Sequence, residues 1–400
     1  MRGRLSNTTY AKSIQLLCVV LLGVILTAGL WPFHAPLNDV RWLQKGNGLY
    51  FGEHGTVLSS GNFSSGRARP GGAKADTSCT LEILLQPGQI RGEGTLLAFD
   101  SSADPSFPFS LRQLGASLAV QRHVFDDQGI ARRPWLKVDH ILRAGELVLV
   151  TITSGRHETV VYVDGVRAGE SSTLGLVSTD LTGQLVLATS TVDDGWTGQI
   201  MGLAVYDRSL TAEQVGKHFA SWRSDQGPAL VEAEDPVAVY LFNEHGGNVV
   251  HNRRGPGPDL TIPTHYSVLH PPFLRAAWAH HHYGRAVWAR WSFWQDVFVN
   301  IAGFIPVGFL LVTYFTSVRP VKRPVLFAIL LGIFLSFSIE GLQVFLPTRD
   351  SDVTDIITNT TGTCLGVVLC RISWMQALWV KTLSCLGCAA APSGSGAIKI

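Results

Sequence analysis

The sequence predicts a multi-domain membrane protein: a four-span α-helical bundle with an all-β sandwich inserted between spans one and two, on the extracytoplasmic side. Three observations predict it. Apolar residues gather towards the two ends of the chain. Charged residues make up only 16% of the 400 positions, against roughly 25% in an ordinary soluble domain. The long middle reads as a series of short strands. The mean hydropathy is positive, which excludes a disordered or collagen-like chain and argues against a wholly soluble enzyme. Net charge is +2 with no long basic run, so no electrostatic footprint for nucleic acid is visible.

The spans come first. Residues 13–30 are apolar almost throughout and follow Arg2, Arg4 and Lys12. A run of that length can cross a hydrocarbon core of about 30 Å. The competing reading is a cleaved signal peptide, with Ala28 before the cleavage site. Trp31, Pro32 and Phe33 look like an interfacial belt and favour the retained anchor. Three further apolar runs cover 297–315, 325–346 and 356–378, the last interrupted by Asn359 and Arg371.

Loop charges set the orientation. Arg319, Lys322 and Arg323 fill the loop between spans two and three, and Arg371 and Lys381 belong to the end of span four and the tail. The loop between spans three and four instead carries Asp350, Asp352 and Asp355 with a single Arg349. The positive-inside rule then places both termini in the cytoplasm and the long middle outside. The expected division is 1–31 for the start and first helix, 40–270 for the sandwich and 271–295 for an amphipathic connector. The remaining bundle takes 296–380, and 381–400 is a cytoplasmic tail.

Within 40–270, alternating or β-branched runs recur at 80–85, 94–99, 117–121, 147–153, 159–163, 184–188, 200–206 and 237–242. Turn-forming residues separate many of them, as in an antiparallel sandwich. The exception is 211–222, where Thr211 is a plausible N-cap with Glu213 and Gln214 in the first turn. Asp164-Gly165 is a strong hairpin-turn signal. Cys79 is the single cysteine of this region, which therefore closes no internal disulfide.

Residues 146–165 (ELVLVTITSGRHETVVYVDG) resemble the two central strands of laminin G-like, concanavalin A-like jelly rolls. Residues 195–215 (GWTGQIMGLAVYDRSLTAEQV) are similar to the family's Gly-x-Ile strand, its Tyr-Asp-Arg-x-Leu turn and the short helix that follows. Residues 239–259 resemble its Phe-x-Glu-x-x-Gly strand. The resemblance implies a jelly-roll sandwich, an architecture that serves carbohydrate binding, protein binding and hydrolysis alike. A retaining glycosidase needs two carboxyls about 5–5.5 Å apart. The Glu-x-Asp-x-x-Glu run of the concanavalin-like glucanases is absent, and Glu82 stands alone on its strand. Asp126-Asp127 and Asp193-Asp194 sit in apparent loops, where their oxygens could hold calcium or simply form solvated turns.

The His280-His281-His282 cluster makes a poor metal site if helical, since adjacent helical side chains diverge. Trp278, Trp288, Trp291 and Trp294, interleaved with Arg275, Arg285 and Arg290, suggest instead an amphipathic segment on the bilayer surface. Cys385 and Cys388 form a Cys-x-x-Cys with no second pair nearby, read here as a tail feature.

The sharper signal lies in the last three spans. Asp296 and Asn300 open span two. Glu340 and Gln343 close span three, with Glu340 about 9 Å inside its end at 1.5 Å per residue. Arg349, Asp352 and Asp355 follow, then Asn359. On the expected topology these groups share one depth in the outer leaflet, where ionisable residues are costly unless paired and so are functional candidates. Gly362 and Gly366 form a small-xxx-small pair that lets helices pack closely. A structural reading stands beside the functional one: Arg349 could pair with Glu340 or Asp352 and lock the loop to the bundle.

Residues 300–309 (NIAGFIPVGF) and 339–362 (IEGLQVFLPTRDSDVTDIITNTTG) resemble the VanZ-like membrane family, one member of which is associated with resistance to the glycopeptide teicoplanin. The family's pattern runs Phe-Ile-Pro-x-Gly-Phe, Glu-x-x-Gln, Arg-x-x-Asp-x-x-Asp and Asn-Thr-x-Gly. This chain departs in the external connection after span one, which holds the whole sandwich. The resemblance implies a bacterial envelope protein and names no reaction.

Two functions are expected. In the first, the protein lacks catalysis: its sandwich binds an envelope glycan or protein, and its bundle, in contact with the bilayer, forms a polar outer-leaflet site of Asp296, Asn300, Gln343 and Asn359. The link would be to glycopeptide resistance or an envelope polysaccharide. In the second, a membrane enzyme or small transporter acts on a lipid-linked or anionic envelope substrate through Glu340 and Arg349, with Asp352 and Asp355 beside them.

Overall fold

The computed structural model describes residues 2–64, 78–100, 108–125, 131–132, 134–155, 158–189, 195–224, 229–269, 273–274, 281–282, 285–286 and 291–372. The chain divides into two compact units, Ala35–His270 and Met1–His34 with Pro271–Ile400.

The first unit is all-β with two short helices. Its strands begin with β1 (Val40–Trp42), β2 (Leu49–Phe51), β3 (Val57–Phe63), β4 (Cys79–Pro87), β5 (Glu93–Asp100), β6 (Phe109–Leu114) and β7 (Ser117–Arg122). Then come β8 (Val124–Phe125), β9 (Ala131–Arg132), β10 (Trp135–Val138), β11 (Val148–Ser154), β12 (Thr159–Val163) and β13 (Val166–Ser171). The last are β14 (Gly183–Leu187), β15 (Gly198–Tyr206), β16 (Ala238–Tyr240), β17 (Val249–Val250) and β18 (Leu260–Thr261). One antiparallel sheet runs β1-β2-β15-β4-β11-β12-β13, with β16 on β15; the other runs β10-β7-β6-β5-β14-β3-β18-β17. Together they form the expected all-β sandwich.

Side-chain alternation explains its layers. On β4, Leu81, Ile83 and Leu85 enter the core between the sheets, and β11 adds Val148, Val150 and Ile152. Leu84, Leu149, Ala204 and Tyr206 point to the opposite face. That face is covered by α2 (Ala212–Trp222) and the short α3 (Ala229–Ala233), which contribute Val215, Trp222 and Val231. Burial on both faces is why 79–87 reads as nearly continuous apolar sequence rather than alternation. The N-cap at Thr211 forms as expected, as a capping box: its hydroxyl accepts from Gln214 N–H at 3.3 Å and its own N–H reaches Gln214 Oε1 at 2.9 Å. The β12–β13 hairpin turns at Asp164 and Gly165, whose φ values of 48° and 80° give the two positive-φ positions of a type I′ turn.

The second unit holds four helices long and apolar enough to cross a membrane: α1 (Arg2–Leu30), α4 (Trp291–Thr313), α5 (Pro324–Gln343) and α6 (Val353–Cys370). A π-helical turn at Tyr314–Val318 continues α4. Helix α4 starts at Trp291 rather than at residue 297, because its aromatic first turn extends the helix beyond the apolar run. His281–His282 and Arg285–Ala286 pair as a two-stranded hairpin, β19 and β20. The helical premise applied to the histidines is therefore corrected for His281 and His282; His280, Trp278, Trp288, Arg275, Arg290, Cys385 and Cys388 lie outside the described residues.

Helices α4 and α6 approach most closely through glycine. A Cβ on Gly362 would strike the Ile301 carbonyl, one on Gly366 the Ile305 carbonyl, and one on Gly308 the Thr363 carbonyl. Small residues give the two backbones this contact in a medium where association depends on van der Waals packing. Ile25 of α1 joins Phe304, Val307, Leu311, Ala328, Ile339 and Val367 in the bundle core.

Candidate functional site

The polar cluster forms at the end of the bundle where α1 and α5 stop and α6 begins. Glu340, in the last turn of α5, is 1% exposed. Its Oε2 accepts from the Asp352 N–H at 2.8 Å, and the Ser351 hydroxyl bonds it too. Ser351 Oγ in turn accepts from Leu274 N–H at 3.2 Å. Asp352 is the N-cap of α6, its Oδ1 accepting from Thr354 N–H and hydroxyl, each at 2.7 Å. A carboxylate suits that position, where orphan N–H groups and the helix dipole favour negative charge.

Asp355, one turn into α6, accepts from Asn300 Nδ2 of α4 at 2.8 Å. Asp296, Asp350 and Asp352 are near enough to interact with it electrostatically. A turn deeper, Asn359 Nδ2 donates to Ser336 Oγ of α5 at 3.0 Å. The buried oxygens Asn359 Oδ1, Gln343 Oε1 and Thr348 Oγ1 have no hydrogen-bond partner among the described residues. The geometry thus brings Glu340, Asp352, Asp355, Asn300 and Asn359 together, with acceptors outnumbering donors.

Arg349 and Gln343 turn elsewhere. Gln343 Nε2 donates to the Gly29 carbonyl at 2.9 Å. Arg349 Nε and Nη2 donate to the Trp31 carbonyl at 3.0 and 2.6 Å. The expected pairing of Arg349 with Glu340 or Asp352 is therefore corrected. The last carbonyls of α1 have no intrahelical donors; a guanidinium with several N–H groups fills the need.

In the sandwich, Asp126, Asp127, Asp193 and Asp194 lie outside the described residues, and among the described residues no group of three or more His, Cys, Asp or Glu is placed to hold a metal. Glu82 is the carboxylate the sequence left without partners. It is completely buried beneath α2, with His218 Nδ1 3.1 Å from both its oxygens, Trp222 Nε1 donating at 3.0 Å and Thr151 Oγ1 at 3.4 Å. All of these are donors and none is a second carboxyl, so the cluster lacks the paired acids of a glycosidase. The missed signal was the four-residue spacing of His218 and Trp222, which places both on one helix face. Burial also pushes the Cys79 thiol well above its usual range, which keeps it inert.

The outer face of the second sheet is different. Leu136, Val120, Leu111 and Phe109 point into the core, so their neighbours Trp135, Gln121, Ser110 and Arg112 point away. Trp135 pairs with Gln121 across the strands, and Gln121 with Ser110. Trp135 is 47% exposed, an aromatic ring beside hydrogen-bonding side chains.

Residues 246–375 match the family model described as VanZ/LLP1, and residues 60–216 match that of the concanavalin A-like lectin/glucanases superfamily. No curated protein matches the chain. Among solved structures it is similar to a native heptameric SAP-like pentraxin from Limulus polyphemus, with 14% identity, 57% of this chain and 95% of that one covered, and a TM-score of 0.34. It is also similar to the CBM40 of a Ruminococcus gnavus IT-sialidase bound to sialyllactose: 17% identity, 44% and 97% covered, TM-score 0.33. A third is the binding domain of botulinum neurotoxin serotype D, with 13% identity, 47% and 46% covered and a TM-score of 0.32. The chain spans about half the length of that last structure.

Proposed function

We propose that this chain, a VanZ/LLP1-type bundle carrying a concanavalin A-like sandwich, is a multi-pass protein of the bacterial cytoplasmic membrane whose sandwich binds an envelope glycan outside the cell. Both termini lie in the cytoplasm. The supporting charge asymmetry sets Arg319, Lys322 and Arg323 between α4 and α5 against Asp350 and Asp352 before α6. The polar end of the bundle then faces the outer leaflet.

The observation that carries glycan binding is the exposed Trp135, paired across the strands with the half-buried Gln121. An indole face takes up the C–H side of a sugar ring, while the amide beside it meets the hydroxyls. The test uses the full chain in lipid nanodiscs, cosedimented with insoluble peptidoglycan and with envelope polysaccharides, with and without calcium. Binding lost in Trp135→Ala supports the reading; no binding across that panel sinks it and leaves a protein partner. The enzyme or transporter reading, with Glu340 as base and Arg349 as anion clamp, finds Arg349 bonded not to Glu340 but to the Trp31 carbonyl.

A further inference from the structure

Arg349 is the anomaly of the bundle. Its sequence neighbours include Asp350 and Asp352, yet among the described residues its hydrogen bonds go to a neutral carbonyl, that of Trp31. Among the described residues no carboxylate forms an ion pair with it. Near the membrane surface a guanidinium left with a full charge and spare N–H donors calls for an anion.

The same side chain stands at one end of a shallow, largely open groove of about 640 Å³ along the face of α1, lined by Val20, Gly23, Val24, Thr27, Ala28, Trp31 and Arg349. The walls are apolar or small, and a Cβ placed on Gly23 would meet nothing within 4 Å. From Val20 to Trp31 the groove follows eleven residue steps, about 16 Å at the helical rise. One leaflet of a hydrocarbon core of about 30 Å is about 15 Å deep. The groove is therefore as long as one acyl chain in one leaflet. Trp31, 61% exposed, stands at its open end, where indole rings mark the interface.

We infer that this groove binds an anionic diacyl phospholipid, one acyl chain lying along Gly23 and Val24 and the headgroup phosphate meeting the free N–H donors of Arg349. The charge decides between candidates. A zwitterionic lipid brings its own ammonium to compete for the phosphate, whereas phosphatidylglycerol leaves the phosphate to the guanidinium. The site is separate from the carboxylate cluster and from the sandwich, and stands whether or not the sandwich binds glycan. It also gives Arg349 two tasks: closing the end of α1 and holding a lipid against it.

The test is native mass spectrometry of the full chain released from nanodiscs of equal parts phosphatidylglycerol and phosphatidylcholine. Wild type is expected to retain phosphatidylglycerol in preference. Gly23→Leu, which fills the groove without touching Arg349, is expected to lose the bound lipid. Arg349→Gln is expected to reduce phosphatidylglycerol to the level of phosphatidylcholine, and Arg349→Lys to keep the preference. Thermal midpoints in detergent report whether each variant stays folded. Equal retention of the two lipids by wild type would overturn the proposal. So would loss in Arg349→Gln with full retention in a folded Gly23→Leu, since Arg349 would then act through α1 alone. Replacement of the diacyl lipid by an added polyprenyl phosphate at equal concentration would overturn it as well.

Discussion

Replacing Glu82 with alanine tests the link between the sandwich and its covering helix. The carboxylate is fully buried and receives His218 Nδ1, Trp222 Nε1 and Thr151 Oγ1. Two of these donors belong to α2, 136 and 140 positions away in sequence. Truncation leaves the His218 and Trp222 donors buried without acceptors, at about 1–3 kcal/mol each. The sum, about 2–6 kcal/mol, falls on α2 rather than on the strands, which keep their ladder and the core between the sheets. The assay is native-state hydrogen exchange on the full chain in nanodiscs, reading amides of 212–222 against those of β4 and β11. Exchange in α2 should accelerate at least about thirtyfold, since each 1.4 kcal/mol is a factor of ten, with β11 little changed. Glu82→Gln, which keeps one carbonyl acceptor, should fall between wild type and Glu82→Ala. Less than a tenfold change in α2 would refute the account and mean that Val215 and Trp222 hold the helix by apolar contact alone.

Two further outcomes follow from the charges. In a cysteine-free background, Lys45→Cys in the sandwich should react with an impermeant thiol reagent in intact spheroplasts, and Lys322→Cys between α4 and α5 only after lysis; the reverse pattern inverts the orientation. Glu234, bonded to Arg208 and to Gln214 Nε2 at 3.0 Å, has its pKa lowered, chiefly by the Arg208 hydrogen bond. A depressed carboxylate contributes stability that is present above the ordinary glutamate range and lost as pH falls through the folded value. Acid titration should therefore loosen 229–234 below about pH 4.5 in wild type; hydrogen exchange in Glu234→Gln should already be fast at neutral pH and show less change on acidification.

What the sequence determined by itself was carried by local periods. Four apolar runs marked four helices, strand alternation placed eight of the strands within a residue or two, and Thr211 and Asp164-Gly165 fixed a helix start and a hairpin turn. Gly362 and Gly366 announced the closest helix contact. These features need only neighbours within about one turn or one strand pair, so they are written in the order of residues. The short strands β1, β2 and β10 were not legible, because three- and four-residue segments carry too little alternation to stand out from loops, and the longer β3, β6 and β13 were missed as well.

The tertiary structure decided which polar groups meet. Arg349 was placed beside carboxylates by sequence proximity, yet it reaches across 318 positions to the Trp31 carbonyl, because the carbonyl end of α1 lacks intrahelical donors while Asp352 is already occupied capping α6. Glu82 read as a solitary acid, and the packing of α2 over its sheet surrounds it with three donors. Trp135 is indistinguishable from a core aromatic in the sequence; the register of β10 on β7 turns it outward. Partners separated by a hundred residues or more depend on sheet register and helix docking, which are set by the packing of the whole unit, and no local pattern encodes them.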